Sequence, residues 1–162
     1  MTKDGYLAAI DFFTARQGLL KTAILTQKLC ELAVYVIYPL FLAVLIFNQN
    51  DFWWKSALVC GISFVAVSLL RLRINAERPY EKYDFSPLIK KESRGRSFPS
   101  RHAFSAAIIA FNIGAVCLPL GIAVGVIALV IAFLRVVLGV HFIKDVVFGI
   151  IAGIALGLIV II

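Results

Sequence analysis

Hydrophobic residues along this chain fall into long uncharged runs that are separated by short polar stretches. A helix needs about 20 apolar residues to cross a hydrocarbon core of about 30 Å. Five runs approach that length, at about residues 30–48, 55–70, 102–118, 121–138 and 141–162. The pattern therefore predicts an all-α fold: a polytopic transmembrane helix bundle with five spans, forming one membrane-embedded domain over residues 1–162.

The N-terminal stretch, residues 5–27, alternates apolar side chains such as Leu7, Ile10 and Phe13 with polar ones. Such alternation is typical of an amphipathic helix that lies in the membrane interface. We therefore expect an N-terminal amphipathic helix before the five spans, with a short, tilted crossing as the alternative.

The longest uncharged run, Ala103–Leu134, contains 32 residues. As one helix it would extend about 48 Å at 1.5 Å per residue, well beyond the hydrocarbon core. We expect a break at residues 118–121, which include Pro119, so that the run forms a hairpin of two spans. In the last span, Gly149, Gly153 and Gly157 recur every four residues, a spacing that is typical of close helix packing.

The composition supports a membrane protein, because 62% of the residues are hydrophobic and the mean hydropathy is +0.97. The net charge is +7, and the polar segment 71–101 alone holds nine Lys or Arg residues against four acids. Cations that adjoin apolar spans indicate contact with lipid headgroups or phosphorylated lipids. We therefore expect the bilayer and a phosphorylated lipid as partners, and no nucleic acid.

The order of the spans predicts that two distant polar segments meet at one membrane face. The segment 71–101 follows the second span, and His102 begins the third. The chain then crosses, turns near Pro119 and returns. The second polar segment, 135–145, therefore reaches the same face as the first.

The residues of these two segments match the needs of phosphate transfer. His141 and Asp145 are spaced i, i+4, so on a helix the carboxylate would orient the imidazole and leave its other nitrogen free to attack. The other histidine of the chain, which has only two, is His102; it would be the general acid for the leaving oxygen. Four further side chains would donate hydrogen bonds to the phosphate oxygens: Arg71, Arg78, Ser100 and Arg135.

The same residues carry a family resemblance. The patterns Arg71-x6-Arg78-Pro79, Pro99-Ser100-Arg101-His102 and Arg135-x5-His141-x3-Asp145 resemble the three-part signature of the type 2 phosphatidic acid phosphatase superfamily. The resemblance implies that His141 is the nucleophile that forms a phosphohistidine, with Asp145 orienting it and His102 protonating the leaving group. It implies no metal ion and no cofactor, because fixed arginines take that role.

The chain departs from the usual signature at three positions. Arg71 stands where lysine is usual, and Leu134 replaces a serine. Arg101 replaces a glycine, where it either crowds the backbone donors or adds a cation that binds a diphosphate. The family core usually has six spans, so we expect the first span here to be reduced to the interfacial helix.

These observations predict a metal-independent lipid phosphatase that acts on undecaprenyl pyrophosphate, phosphatidic acid or phosphatidylglycerol phosphate. The alternative is a non-catalytic protein that binds or transports a lipid phosphate with the same arginines, in which the histidines would be dispensable.

The side of the membrane is indicated by two conflicting signals. Lys and Arg crowd the face of segment 71–101, and the positive-inside rule assigns such a face to the cytoplasm. Several of those charges belong to the site itself, however, and the resemblance to undecaprenyl-pyrophosphate phosphatases implies the outer face. We expect a multi-pass protein of the cell membrane with its active site on the extracytoplasmic face.

Overall fold

The structure, a computed structural model, describes residues 1–89 and 94–161. Its helices are α1 (Lys3–Thr14), α2 (Gln17–Phe47), α3 (Phe52–Ile74), α4 (Pro79–Lys82), α5 (Arg101–Val116), α6 (Leu118–Val137) and α7 (Ile143–Gly157), followed by a short 3-10 helix (Leu158–Ile161). Three charges of the polar segment, Lys90, Lys91 and Glu92, lie outside the described residues, as does Ile162, the predicted end of the last span.

The all-α membrane bundle is confirmed, but the number of long spans differs from the prediction. Within the described residues, four helices are long and apolar enough to cross a membrane: α2, α3, α6 and the continuous helix formed by α7 and the 3-10 turn. The fifth predicted span, α5, is apolar but has only 16 residues. At 1.5 Å per residue it extends about 24 Å, less than the hydrocarbon core.

The spans expose large apolar side chains over their outer surface. Leu40, Ile62, Phe133 and Ile151 are each more than half exposed in the isolated chain. A soluble protein rarely leaves such a continuous apolar surface in water, whereas lipid tails solvate it. The protein is therefore a multi-pass membrane protein.

The N-terminal helix is shorter than predicted. The expected helix over residues 5–27 breaks at Ala15 and Arg16, and residues 17–27 instead extend α2. The extension has a packing reason, because Leu20 and Ala23 join an apolar cluster with residues of α6. Only Tyr6 of α1 is buried.

The predicted hairpin is present, but its turn lies earlier than the expected break at 118–121. Helix α5 ends before Cys117, and α6 begins directly after it at Leu118. Pro119 therefore lies in the first turn of α6, where its missing N–H has no helical partner to lose. A Cβ at Gly121 would lie 2.3 Å from the Cα of Gly114, so the two helices touch at their backbones.

The glycines of α7 allow that helix to pack closely on α5. A Cβ at Gly149 would lie 2.7 Å from the backbone oxygen of Ser100, and one at Gly153 would lie 2.7 Å from that of Phe104. The third glycine, Gly157, meets the ring of Phe111. These contacts fix the start of α5 beside the middle of α7.

We predict that Gly153→Ala lowers the thermal unfolding temperature in detergent micelles, because the new methyl group overpacks the α5 interface at a cost of about 1–3 kcal/mol. The control is Gly125→Ala on α6, where a Cβ meets nothing within 4 Å. Alanine favours a helix over glycine by about 1 kcal/mol, so the control should be as stable as the parent or slightly more so. Equal unfolding temperatures for the two variants would contradict the packing.

Candidate active site

A cavity of about 290 Å³ opens at the end of the bundle where α3 ends and α5 begins. It is lined by Ser68, Arg71, Leu72, Arg78, Arg96, Arg101, His102 and His141. The structure thus brings both histidines and three of the predicted arginines to one place. The two polar segments meet there, as the order of the spans predicts.

Backbone carbonyls hold two of the arginines in the cavity wall. Arg71, in the last turn of α3, donates from Nη1 to the carbonyl oxygen of Pro99. Arg78 donates from Nε to the oxygen of Gly95 at 3.0 Å and from Nη1 to that of Val140 at 3.3 Å. These bonds join segments that are distant in the sequence, so the guanidinium groups are fixed before any ligand arrives.

His141 and Asp145 are in contact, although not along a helix face as predicted. Helix α7 begins only at Ile143, so His141 lies just before it. Asp145 Oδ2 accepts a hydrogen bond from the backbone N–H of Phe142 at 3.0 Å, a bond that caps the helix. The same oxygen lies 3.5 Å from His141 Nδ1.

Ser97 completes this contact. Its hydroxyl donates to Asp145 Oδ2 at 2.5 Å and lies 3.3 Å from His141 Nδ1. Both partners of the imidazole thus lie on its Nδ1 side, while the ring itself lines the cavity. The arrangement leaves Nε2 as the nitrogen for a ligand.

His141 is only 1% exposed, and its burial decides its charge. Burial lowers the pKa of His141 to about 4, and the positive charges of Arg78 and Arg135 act in the same direction, against the raising effect of Asp145. The imidazole is therefore neutral at physiological pH, as a nucleophile must be. Its backbone oxygen accepts a hydrogen bond from the Tyr6 hydroxyl at 3.0 Å, which fixes α1 beside the site.

The family of the chain follows from comparison with known proteins. A family model described as the PAP2 superfamily matches residues 52–162, more than half of the chain. The chain belongs to the PAP2 superfamily. The matched region contains every residue that the sequence predicts for the site, whereas α1 and α2 precede it.

Two solved structures have a similar fold. The crystal structure of Aquifex aeolicus LpxE is 28% identical, with a TM-score of 0.72, and the match covers 88% of this chain and 85% of that one. The first transmembrane PAP2 type phosphatidylglycerolphosphate phosphatase from Bacillus subtilis is 25% identical, with a TM-score of 0.72, and the match covers 98% of this chain and 81% of that one. No curated protein matches at the sequence level. The chain thus has the fold of PAP2 membrane lipid phosphatases.

Two of the predicted phosphate-binding residues, Arg135 and Ser100, do not line the cavity. Arg135 is buried and donates from Nη2 to Glu31 Oε1 at 2.5 Å instead of facing the cavity. Ser100 is also buried, and its backbone N–H donates to the oxygen of Asp145 at 2.9 Å. The Ser100 hydroxyl has no hydrogen-bond partner within residues 1–89 and 94–161.

Arg101 stands where the PAP2 signature usually has glycine. It lines the cavity and is exposed. Its guanidinium lies 5.3 Å from the ring centroid of Phe64 on α3, a cation–π contact. The guanidinium therefore lies beside α3 at the edge of the cavity.

Sequence reasoning missed several residues of the site. Arg96 lines the cavity from a turn in which Gly95 and Arg96 both have left-handed backbone conformations, with φ of 63° and 56°. A non-glycine residue rarely adopts such a φ, and here Glu81 holds the turn by accepting from the N–H of Gly95 at 2.9 Å. The glycine that precedes Arg96 was the sequence feature that could have indicated this turn. Ser97 and Glu31 carry no local pattern that marks them.

We predict that the His141 imidazole stays neutral down to about pH 4, because it is buried among arginines. The chain has only two histidines, so nitrogen NMR of protein labelled at histidine, with a His102→Gln variant for assignment, resolves the two rings. The His141 signals should show the tautomer with its proton on Nδ1 between pH 5 and 8. Titration of this ring near the ordinary value of about 6.5 would contradict the burial.

Proposed function

We propose that this protein is an integral-membrane phosphatase that hydrolyses a lipid phosphate or pyrophosphate through a phosphohistidine intermediate. One observation carries the proposal: an imidazole held at Nδ1 by Asp145 and Ser97 shares a cavity with a second imidazole and fixed guanidinium groups. Simple binding of an anion requires only the cations. The carboxylate also caps α7, but its contact with His141 Nδ1 is what an attacking imidazole requires.

In the first step, the Nε2 lone pair of His141 forms a bond to phosphorus while the bond from phosphorus to the leaving oxygen breaks. The electron pair of that bond goes to the leaving oxygen, which takes a proton from the His102 imidazolium. Arg71 and Arg78, with Arg96 and Arg101 farther out, stabilise the charge on the equatorial oxygens. Asp145 stabilises the positive charge that develops on His141.

The second step reverses the proton transfer. Neutral His102 takes a proton from a water molecule as its oxygen attacks the phosphohistidine, and the bond between Nε2 and phosphorus breaks. The products are inorganic phosphate and the free His141 imidazole. The arginines supply the positive charge that a metal ion supplies in other phosphatases, so we propose a reaction that needs no metal.

The proposed substrates are undecaprenyl pyrophosphate, phosphatidic acid and phosphatidylglycerol phosphate. The similarity to a phosphatidylglycerolphosphate phosphatase supports a lipid phosphate. Arg96 and Arg101 provide two cations beyond the pair nearest the phosphorus, which favours a headgroup with a second phosphate. The lipid tail would remain in the bilayer beside the apolar helix surface.

We propose that the site faces the extracytoplasmic side of the cell membrane, where a pyrophosphate of a lipid carrier is exposed. The phosphate-binding arginines account for part of the positive charge at this face, which weakens the charge rule as a guide to orientation.

We predict that His141→Ala abolishes release of inorganic phosphate from short-chain lipid phosphates, a loss of about 10³-fold or more, because the variant lacks the attacking nitrogen. The assay uses purified protein in detergent micelles and a panel of the three substrates. His141→Ala should still unfold in a cooperative transition, although at a lower temperature than the parent because the side chain it removes is buried. Near-normal turnover in a folded variant would exclude the proposed nucleophile.

Metal dependence is tested in the same assay. Orthovanadate should inhibit, because it adopts the five-coordinate geometry of the transferred phosphoryl group, and EDTA should have no effect. Inhibition by EDTA without inhibition by vanadate would indicate a metal enzyme instead.

We predict that Ser97→Ala lowers kcat about tenfold or more with little change in KM, because Ser97 orients Asp145 and His141 but does not line the cavity. The control is Ser68→Ala, since Ser68 lines the cavity but its hydroxyl donates to the Phe64 oxygen of its own helix at 2.7 Å. Ser97→Thr, which keeps the hydroxyl, should recover part of the activity. Equal effects of the two alanine substitutions would argue against a role for Ser97.

A further inference from the structure

An acidic side chain from outside the family-matched region lies among the cations of the site. Glu31, on α2, accepts hydrogen bonds at Oε1 from Arg135 Nη2 at 2.5 Å and from Gln27 Nε2 at 2.9 Å. The same oxygen lies 3.9 Å from His102 Nε2. A carboxylate beside a phosphate site opposes binding of the substrate, so its presence requires another reason.

We propose that Glu31 is the positioning residue of the general acid: its carboxylate holds His102 as an oriented imidazolium and neutralises Arg135. This inference rests on the proposed function, in which His102 protonates the leaving oxygen. Each histidine of the reaction then has its own carboxylate, with Asp145 serving the nucleophile and Glu31 serving the acid.

The position of Glu31 fits a role behind the ring. His102 and Arg101 form a wall shared by two cavities. Glu31, Tyr35 and Phe64 line the smaller cavity, of about 40 Å³. None of these three residues lines the larger phosphate cavity. The carboxylate therefore reaches His102 from a different side than the phosphate does.

The arginines around His102 explain why a carboxylate is needed beside this ring. Four arginines share the phosphate cavity with the ring: Arg71, Arg78, Arg96 and Arg101. Their positive charges disfavour a protonated imidazole, whereas a carboxylate at about 4 Å favours it. A general acid must begin each cycle protonated. Glu31 supplies the negative charge that the reaction needs on this side of the site.

The leaving group provides the test, because the acid matters most when the leaving oxygen is basic. The alkoxide released from an alkyl phosphate needs a proton as the bond to phosphorus breaks. The p-nitrophenolate released from p-nitrophenyl phosphate is stable without one. Loss of proton donation therefore slows the alkyl substrate much more than the aryl substrate, whereas a general loss of structure slows both.

The experiment compares kcat/KM for octyl phosphate and p-nitrophenyl phosphate in Glu31→Gln, which keeps the shape and removes the charge. This ratio reports formation of the phosphohistidine and not its later hydrolysis, which is the same for both substrates. We expect a loss of about 10- to 100-fold on the alkyl phosphate and less than about threefold on the aryl phosphate. Glu31→Asp, which keeps the charge, should recover part of the activity on octyl phosphate. Inhibition by orthovanadate should not weaken, since Glu31 does not line the phosphate cavity and the variant removes a negative charge.

Two further variants separate this inference from the proposed function. His102→Ala should show the same dependence on leaving group, and adding Glu31→Gln to it should cause no further loss, because both act in one step. Equal losses on the two substrates in His102→Ala would reject His102 as the acid, and the inference with it.

Other outcomes overturn the inference and leave the proposed function intact. In one such outcome, Glu31→Gln loses activity equally on both substrates and binds vanadate more weakly, while His102→Ala keeps its dependence on the leaving group. Glu31 then acts only by holding Arg135. If Glu31→Gln is more active than the parent, the carboxylate competes with substrate for Arg135.

Discussion

The carboxylate of Asp145 joins the loop that contains Ser97, the imidazole of His141 and the start of the last span. Its Oδ2 accepts from the Ser97 hydroxyl at 2.5 Å and from the N–H of Phe142 at 3.0 Å, and it lies 3.5 Å from His141 Nδ1. The side chain is fully buried, so its negative charge depends on these donors and on the positive end of α7. The start of the last span and the orientation of the His141 imidazole thus depend on one group.

The rest of the site is formed by buried arginines, which outnumber the acidic side chains beside them. Arg71, Arg78 and Arg135 are each less than a tenth exposed. Buried like charges are costly unless hydrogen bonds and counter-charges offset them. Backbone carbonyls hold the first two, and Glu31 neutralises the third. A bound phosphate would complete this balance, which is why the geometry supports an anionic substrate.

The unequal lengths of the helices place the site at the end of the bundle. Glu31 lies near the middle of α2, yet it contacts the first turn of α5 and the last turn of α6. The first half of α2 therefore projects beyond those helices, where Ala23 packs against Leu138. With α1 fixed to the backbone of His141 by Tyr6, this extension flanks the site.

The sequence by itself determined the helical class, the hairpin and the meeting of the two polar segments, because hydropathy is a local property and successive crossings fix which ends share a face. It also indicated both histidines, since imidazoles beside arginines are rare in so apolar a chain. Only the tertiary structure decided which cations line the cavity. Arg96 reaches the cavity through an irregular left-handed turn. Arg135 instead donates a hydrogen bond to Glu31, which is 104 positions away in the sequence. Such choices depend on packing and charge pairing across helices, which no local pattern encodes.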